Sequence, residues 1–291
     1  MEVKAEVSIL NQPDSQVLIN IINTCAKVCT SKESGVEIFE SNEKSLEGKD
    51  CTFRHGEEVS GECLGKDGSL CDTTDCPQAK STEKALQKQL KTIIGCIKSG
   101  HSSVLEHVHF VFAISGVSRA CTHQLVRHRH IAISHQSQRY VEEKKQFEYI
   151  TPDTLRCDKK IITDWGQLDY HDFMKLSSQM YLGLIGKENK PEDARFVLPN
   201  AAASNINVTF NLSSLIHFFN ERLCFHAQWE IKEVAHKMRD LVLKEHSWLE
   251  PFLAPKCKKL GHCNEMKPCG ITIKKSEVDE AVRLYESKKE M

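Results

Sequence analysis

No run of about eighteen apolar residues occurs in the 291-residue chain, so no stretch reads as a transmembrane helix. The first twenty residues carry scattered charges and no apolar core of signal-peptide length, so a cytoplasmic protein is expected. An excess of one charge is missing too. Lysine and arginine total 39 against 40 aspartates and glutamates, a formal net charge of −1, which leaves no global field for nucleic acid or an anionic membrane. The 13 cysteines are irregularly spaced. In a chain this large no disulfide scaffold is needed, and reduced thiols or a metal are expected rather than bridges.

What is present begins with a core. At 40% hydrophobic the chain can bury a sizeable interior, read here as one large domain. A short strand over 3–7 precedes a helix over 17–28 with Leu18, Ile21, Ile22, Cys25 and Val28 on one face. From 30 to about 80 the composition turns polar, and this stretch reads as an irregular insertion. Its Cys51, Cys63, Cys71 and Cys76, with His55 nearby, include no Cys-x-x-Cys pair, so zinc is the lesser reading there. Helix returns over 82–99 and stops at Gly100. Val108, Phe110, Phe112 and Ile114 then alternate as a half-buried strand, with His101, Ser103 and Glu106 on the loop entering it.

Ser118 is positioned to cap a helix running to about Arg129, on which Gln124, Arg127 and His128 would share a face. The chain then carries three arginines, three histidines and two serines between Arg127 and Tyr140, with no acid among them. Such a run cannot be buried unpaired, and an anion is expected beside it. The flanking Glu142 and Glu143 count against a nucleic-acid surface. A weaker helix lies within 155–185, and Pro191 opens a short one that contains Arg195. That guanidinium needs either a neighbouring acid or a ligand. A strand over 204–210 leads to Asn211, which would cap one long helix over about 212–244. A second face of that helix carries Arg222, His226, Trp229 and Glu230, and its tryptophan points to a partner surface. The tail holds Cys257, His262, Cys263 and Cys269, then a helical run over 276–289.

Three motifs carry a resemblance: Gly100-His101-x-Ser103-x-x-Glu106-His107; Arg127-His128-Arg129 followed after seven residues by Ser137; and Arg222-x-x-x-His226-Ala227-Gln228-Trp229-Glu230. Together, over roughly 84–243, the chain resembles the flavin-dependent thymidylate synthases. The resemblance implies an α/β fold, a single α+β domain over 1–250 with a mixed sheet and long helices. The Cys-bearing insertion lies at about 31–80, and a Cys-containing C-terminal extension spans 251–291. It further implies reductive methylation of dUMP to dTMP, with carbon from methylenetetrahydrofolate and hydride from NADPH passing through FAD. A homotetramer with active sites shared between subunits is implied, without an enzyme cysteine nucleophile or a metal.

By the same resemblance, FAD would be held by His101, Ser103, Glu106, Arg127, His128, Arg129, Asn211, His217 and His226. Gln124, Arg127, Ser137, Arg139, Arg195 and Arg222 would hold dUMP. Arg222, polarising the base, and Ser137 are the catalytic expectations. Family members often show Ser, then Asn or Ser, then Glu or Gln where this chain has Ala132, Ser134 and His135, and Ser213 stands where a flavin-contacting arginine is usual.

Overall fold

A computed structural model describes residues 1–28, 31–46, 77–156, 160–164 and 166–280. Its helices are α1 (Ser15–Val28), α2 (Gly35–Leu46), α3 (Pro77–Lys98), α4 (Arg119–Leu125), α5 (Tyr170–Ile185), α6 (Pro191–Ala194), α7 (Leu212–Arg222), α8 (Trp229–Glu245) and α9 (Lys256–Leu260). The strands are β1 (Glu6–Asn11), β2 (His109–Ser118), β3 (Ile131–His135), β4 (Ile161–Thr163), β5 (Gly166–Leu168) and β6 (Ala203–Asn211). No helix among the described residues is long and apolar enough to cross a membrane. The chain divides into two compact units, Pro13–Val108 and the remainder.

In the smaller unit α1 packs on α2 and α3. Leu18, Ile19 and Ile22 of α1, Ile38 of α2 and Ile93 and Ile97 of α3 are buried, the helical spacing that places one apolar stripe inward. Asn23 Nδ2 donates to the Gln89 carbonyl at 3.3 Å within this core. The stretch expected to be irregular from residue 30 onward is thus helical over α2. Its start is a reciprocal cap: Ser34 Oγ accepts from Glu37 N–H, and Glu37 Oε2 accepts from Ser34 N–H. Cys51, His55, Cys63, Cys71 and Cys76 lie outside the described residues. A single 3-10 turn, Ser102–Leu105, buries Val104 and Leu105 and leaves His101, Ser103 and Glu106 exposed.

The larger unit is built on a four-stranded sheet in the order β1-β2-β6-β3. Each named pair in it is antiparallel, so within the α/β class the sheet is not the mixed one expected. Phe110, Phe112 and Ile114 pair with Phe210, Val208 and Ile206, and all six are buried. The two-residue alternation therefore sends one face of both central strands into the core. Phe218 of α7 meets Phe210 with ring centroids 5.2 Å apart, and Ile231, Val234, Ala235 and Met238 of α8 are buried. β4 and β5 form a separate hairpin.

Two expected helices are shorter than their apolar spacing suggested. The long helix over 212–244 is two helices, α7 and α8, with 223–228 between them. Gln228 Oε1 accepts from the amides of Glu230 and Ile231 and so starts α8 afresh. Helix α4 ends at Leu125, and Arg127 and His128 lie beyond it in a tightened turn. His130 follows at φ 61, a left-handed conformation that histidine tolerates better than branched residues. The run then enters β3, a strand not anticipated from the sequence.

Candidate active site

The turn after α4 carries one half of the site, all of it within the larger unit. Arg222, the last residue of α7, donates from Nε to His128 Nε2 at 2.8 Å. His128 also packs edge-on against Phe218 at 5.0 Å and His217 at 6.1 Å. An arginine can only donate, so His128 Nε2 must present a lone pair and its proton resides on Nδ1. Burial, then the Arg222 and His217 charges, push the His128 pKa down to about 4, so the ring is neutral near pH 7. Gln124 reaches Gln228 at 3.4 Å. Arg127, Arg129, His217 and His226 are exposed, and His226 lies in the break between α7 and α8. Asn211 spends its Oδ1 on the Ser214 amide as the α7 cap.

The other half lies along β3 and α6. Ser137 Oγ accepts the Arg139 amide at 3.2 Å, and Arg139 Nε pairs with the Glu192 carboxylate at 2.9 Å. Arg195 Nε donates to the carbonyl of the same Glu192 at 3.0 Å, so Glu192 draws Arg139 and Arg195 together. Among the described residues Arg127, Arg129 and Arg195 form no ion pair. His135 faces Arg119, whose Nη1 lies 3.0 Å from Nε2 and 3.3 Å from Nδ1, and Ser204 Oγ lies 2.9 Å from Nε2. Burial first, then Arg119 and His123, hold the His135 pKa at about 4.

Helix α4 is held at both ends by α8. Glu230, expected on an outer face, is buried at 3% exposure, and its two oxygens accept the Ser118 amide and hydroxyl. Ser118 in turn caps α4 by accepting the Cys121 amide at 3.0 Å. Burial raises the Glu230 pKa against the lowering effect of the Ser118 bonds. Burial and the Glu230 charge also push up the Cys121 thiol, which leaves it protonated and unreactive.

The structure thus brings His128, His217 and Arg222 into one cluster and Ser137, Arg139 and Arg195 into another, while Gln124 meets Gln228. His101, Ser103 and Glu106 belong to the smaller unit. Sequence reasoning passed over Arg119, Ser204 and the buried role of Glu230, because their partners are 16 to 112 residues away. The one local sign was an arginine directly after the Ser118 cap with no acid nearby. Among the described residues no group of three or more His, Cys, Asp or Glu side chains is placed to hold a metal ion.

Comparison with known proteins bears on this arrangement. A family model described as thymidylate synthase complementing protein matches residues 20–247. The flavin-dependent thymidylate synthase of Nitratidesulfovibrio vulgaris is 45% identical over 196 residues, covering 65% of this chain and 78% of that protein. The flavin-dependent thymidylate synthase of Pyrococcus abyssi is 41% identical over 194 residues, covering 64% and 76%. Among solved structures, the UMP/dUMP methylase PolB of Streptomyces cacaoi bound with 5-Br dUMP superposes with a TM-score of 0.56 at 19% identity, over 86% of this chain and 96% of that one. At that identity the likeness is one of fold.

Proposed function

Because this chain belongs to the thymidylate synthase complementing protein family, we propose that it is a flavin-dependent thymidylate synthase that methylates dUMP to dTMP. The observation that carries the reading is the 2.8 Å contact between His128 and Arg222. It brings together two motifs 94 residues apart that the resemblance assigns to flavin and nucleotide. Methylenetetrahydrofolate is the carbon donor and NADPH the reductant in this reading. The protein acts in the cytoplasm as a homotetramer with shared sites, and residues 1–250 serve as one catalytic domain. Phe173, Leu176 and Met180 are exposed at helical spacing along α5, and Phe196 is 83% exposed, apolar side chains that an assembly would cover.

The donor set fits FAD. Arg127 and Arg129 are exposed cations without acid partners, suited to a pyrophosphate. Beside them His128, with its proton on Nδ1, can donate a hydrogen bond. These residues, with Asn211, His217, His226, His101, Ser103 and Glu106, would hold the flavin. When bound, the flavin supplies the hydride that reduces the transferred carbon to a methyl group. Gln124, Arg127, Ser137, Arg139, Arg195 and Arg222 would bind dUMP. Arg222 has a positive charge to offer a base carbonyl, which would raise electron density at the reacting ring carbon. Ser137, its hydroxyl proton free to donate while its oxygen accepts the Arg139 amide, would orient the nucleotide. The reaction needs no cysteine nucleophile in this reading.

The purified protein is expected to be yellow, to oxidise NADPH in a dUMP-dependent way, and to form dTMP once methylenetetrahydrofolate is added. A protein that stays colourless after FAD is supplied would overturn the reading.

A further inference from the structure

Gln228 has no part in the reading above, yet its side chain does more than start α8. Its Oε1 accepts the amides of Glu230 at 3.1 Å and Ile231 at 3.2 Å, and Gln124 Nε2 lies 3.4 Å from the same oxygen. Glutamine is not among the residues favoured at the start of a helix. The short side chains of serine, threonine, asparagine and aspartate reach the same amides and lose less rotamer freedom in doing so. The greater length of Gln228 lets its oxygen serve α8 and still meet Gln124 of α4, 104 residues earlier in the chain.

The two backbone amides settle which end of the Gln228 side chain faces them. Both are donors, so the oxygen lies there and the NH2 group points elsewhere. That in turn settles Gln124. Turned the other way, its carbonyl oxygen would stand against the Gln228 oxygen, two acceptors with no proton between them, so only Nε2 can face Gln228. An amide whose two ends are nearly equal in shape is thereby held in one of its two orientations. What remains to Gln124 is its Oε1, which makes no hydrogen bond among the described residues, and the second proton of Nε2. Gln124 is half-buried, so water only partly repairs a misdirected amide there.

We propose that Gln228 is a positioning residue for the nucleotide site: through the shared Oε1 it fixes the orientation of the Gln124 amide before the nucleotide arrives. The inference rests on the reading of Gln124 as a dUMP-binding residue. Without Gln228 the Gln124 amide would turn between two orientations of opposite polarity. Binding would then carry the cost of selecting the one that matches the nucleotide.

The test separates the two duties of Gln228 in the full-length protein loaded with FAD. Serine begins a helix well but holds its oxygen nearer the backbone, so Gln228→Ser keeps the cap of α8 and withdraws the acceptor from Gln124. It should leave the urea midpoint close to that of wild-type protein and weaken dUMP binding roughly three- to tenfold, with the loss on KM rather than kcat. Gln228→Thr, a second short capping residue, should behave alike. Gln228→Glu keeps an oxygen at the same reach and should retain most of the affinity. In a Gln124→Ala background, Gln228→Ser should add no further loss, because the amide it orients is gone. Wild-type dUMP affinity in Gln228→Ser would overturn the proposal, as would an affinity in Gln228→Glu as low as that of Gln228→Ser. So would an equal loss from Gln228→Ser with and without the Gln124 side chain, the mark of a residue that acts on α8 alone. Failure of both short variants to fold would also overturn it, by assigning Gln228 to the fold. Wild-type protein that binds no dUMP would instead remove the underlying functional reading, a result distinct from all of these.

Discussion

The state of His128 is set by its neighbours. Arg222 Nε donates to its Nε2, and burial first, then the positive charge of that neighbour, keeps the ring unprotonated. Removing the guanidinium should therefore raise the His128 pKa above about 4 by lifting the second of these causes, with burial still holding it below its ordinary value. Arg222→Ala is expected to show this shift in an NMR titration of the ring. The same variant should lower turnover by about a hundredfold or more, the usual cost of losing a preorganised donor, while its far-UV circular dichroism stays that of the native fold. A variant with wild-type turnover would remove Arg222 from the base site. His128 and His135 also make stability depend on pH. Both titrate near 6.5 when unfolded and near 4 when folded. Between those values the unfolded chain binds more protons, so stability is full above about 6.5 and is lost as pH falls toward 4. Urea unfolding at a series of pH values should show this slope in wild-type protein and a shallower one in His128→Gln and His135→Gln.

Helix α4 is too short to hold its own orientation, and its hold on the site comes from α8. Glu230 accepts two donors from Ser118 at one end, while Gln228 receives Gln124 at the other. Glu230→Ala would strand the buried amide and hydroxyl of Ser118 and should cost about 2–4 kcal/mol in chemical denaturation. Glu230→Gln, which still accepts at one oxygen, should cost less. Gly116 serves the sheet in a comparable way. It sits at φ +63 within the register shift of β2, and a Cβ there would fall 2.5 Å from the Lys4 carbonyl oxygen. Gly116→Ala should therefore destabilise by about 1–3 kcal/mol. The elements legible in the sequence were those defined by local pattern. Helix α1 itself, the alternation of β2 and β6 and the caps at Ser118 and Asn211 all depend on residues within a few positions of one another, although the face α1 buries includes Ile19 and leaves Val28 exposed, against the expected stripe. β3 was hidden because Ala132, Ile133 and Ser134 are exposed and the strand is specified by pairing with β6. The break between α7 and α8 was hidden because apolar spacing continues through it, and the buried role of Glu230, read as part of a partner surface, was hidden because its own partner lies 112 residues away.

At the scale of the whole molecule, the residues proposed to hold the nucleotide fall in two separate groups. Among the described residues no hydrogen bond or ion pair joins the His128–Arg222 cluster to the group around Arg119, His135, Arg139 and Arg195. In a homotetramer with shared sites, a complete nucleotide site would take one group from each of two subunits. That arrangement has a consequence that a site made within one subunit lacks. Arg195→Ala and Arg222→Ala should each be nearly inactive alone. Unfolded together, mixed in equal amounts and reassembled, they should form some sites in which the intact Arg195 comes from one variant and the intact Arg222 from the other. With random assembly about a quarter of the sites would be complete, so activity should return to about a quarter of that of wild-type protein carried through the same treatment. If both arginines served a site within one subunit, every site in the mixture would lack one of them. Activity would then stay at the level of the separate variants, and the shared-site assembly would be ruled out.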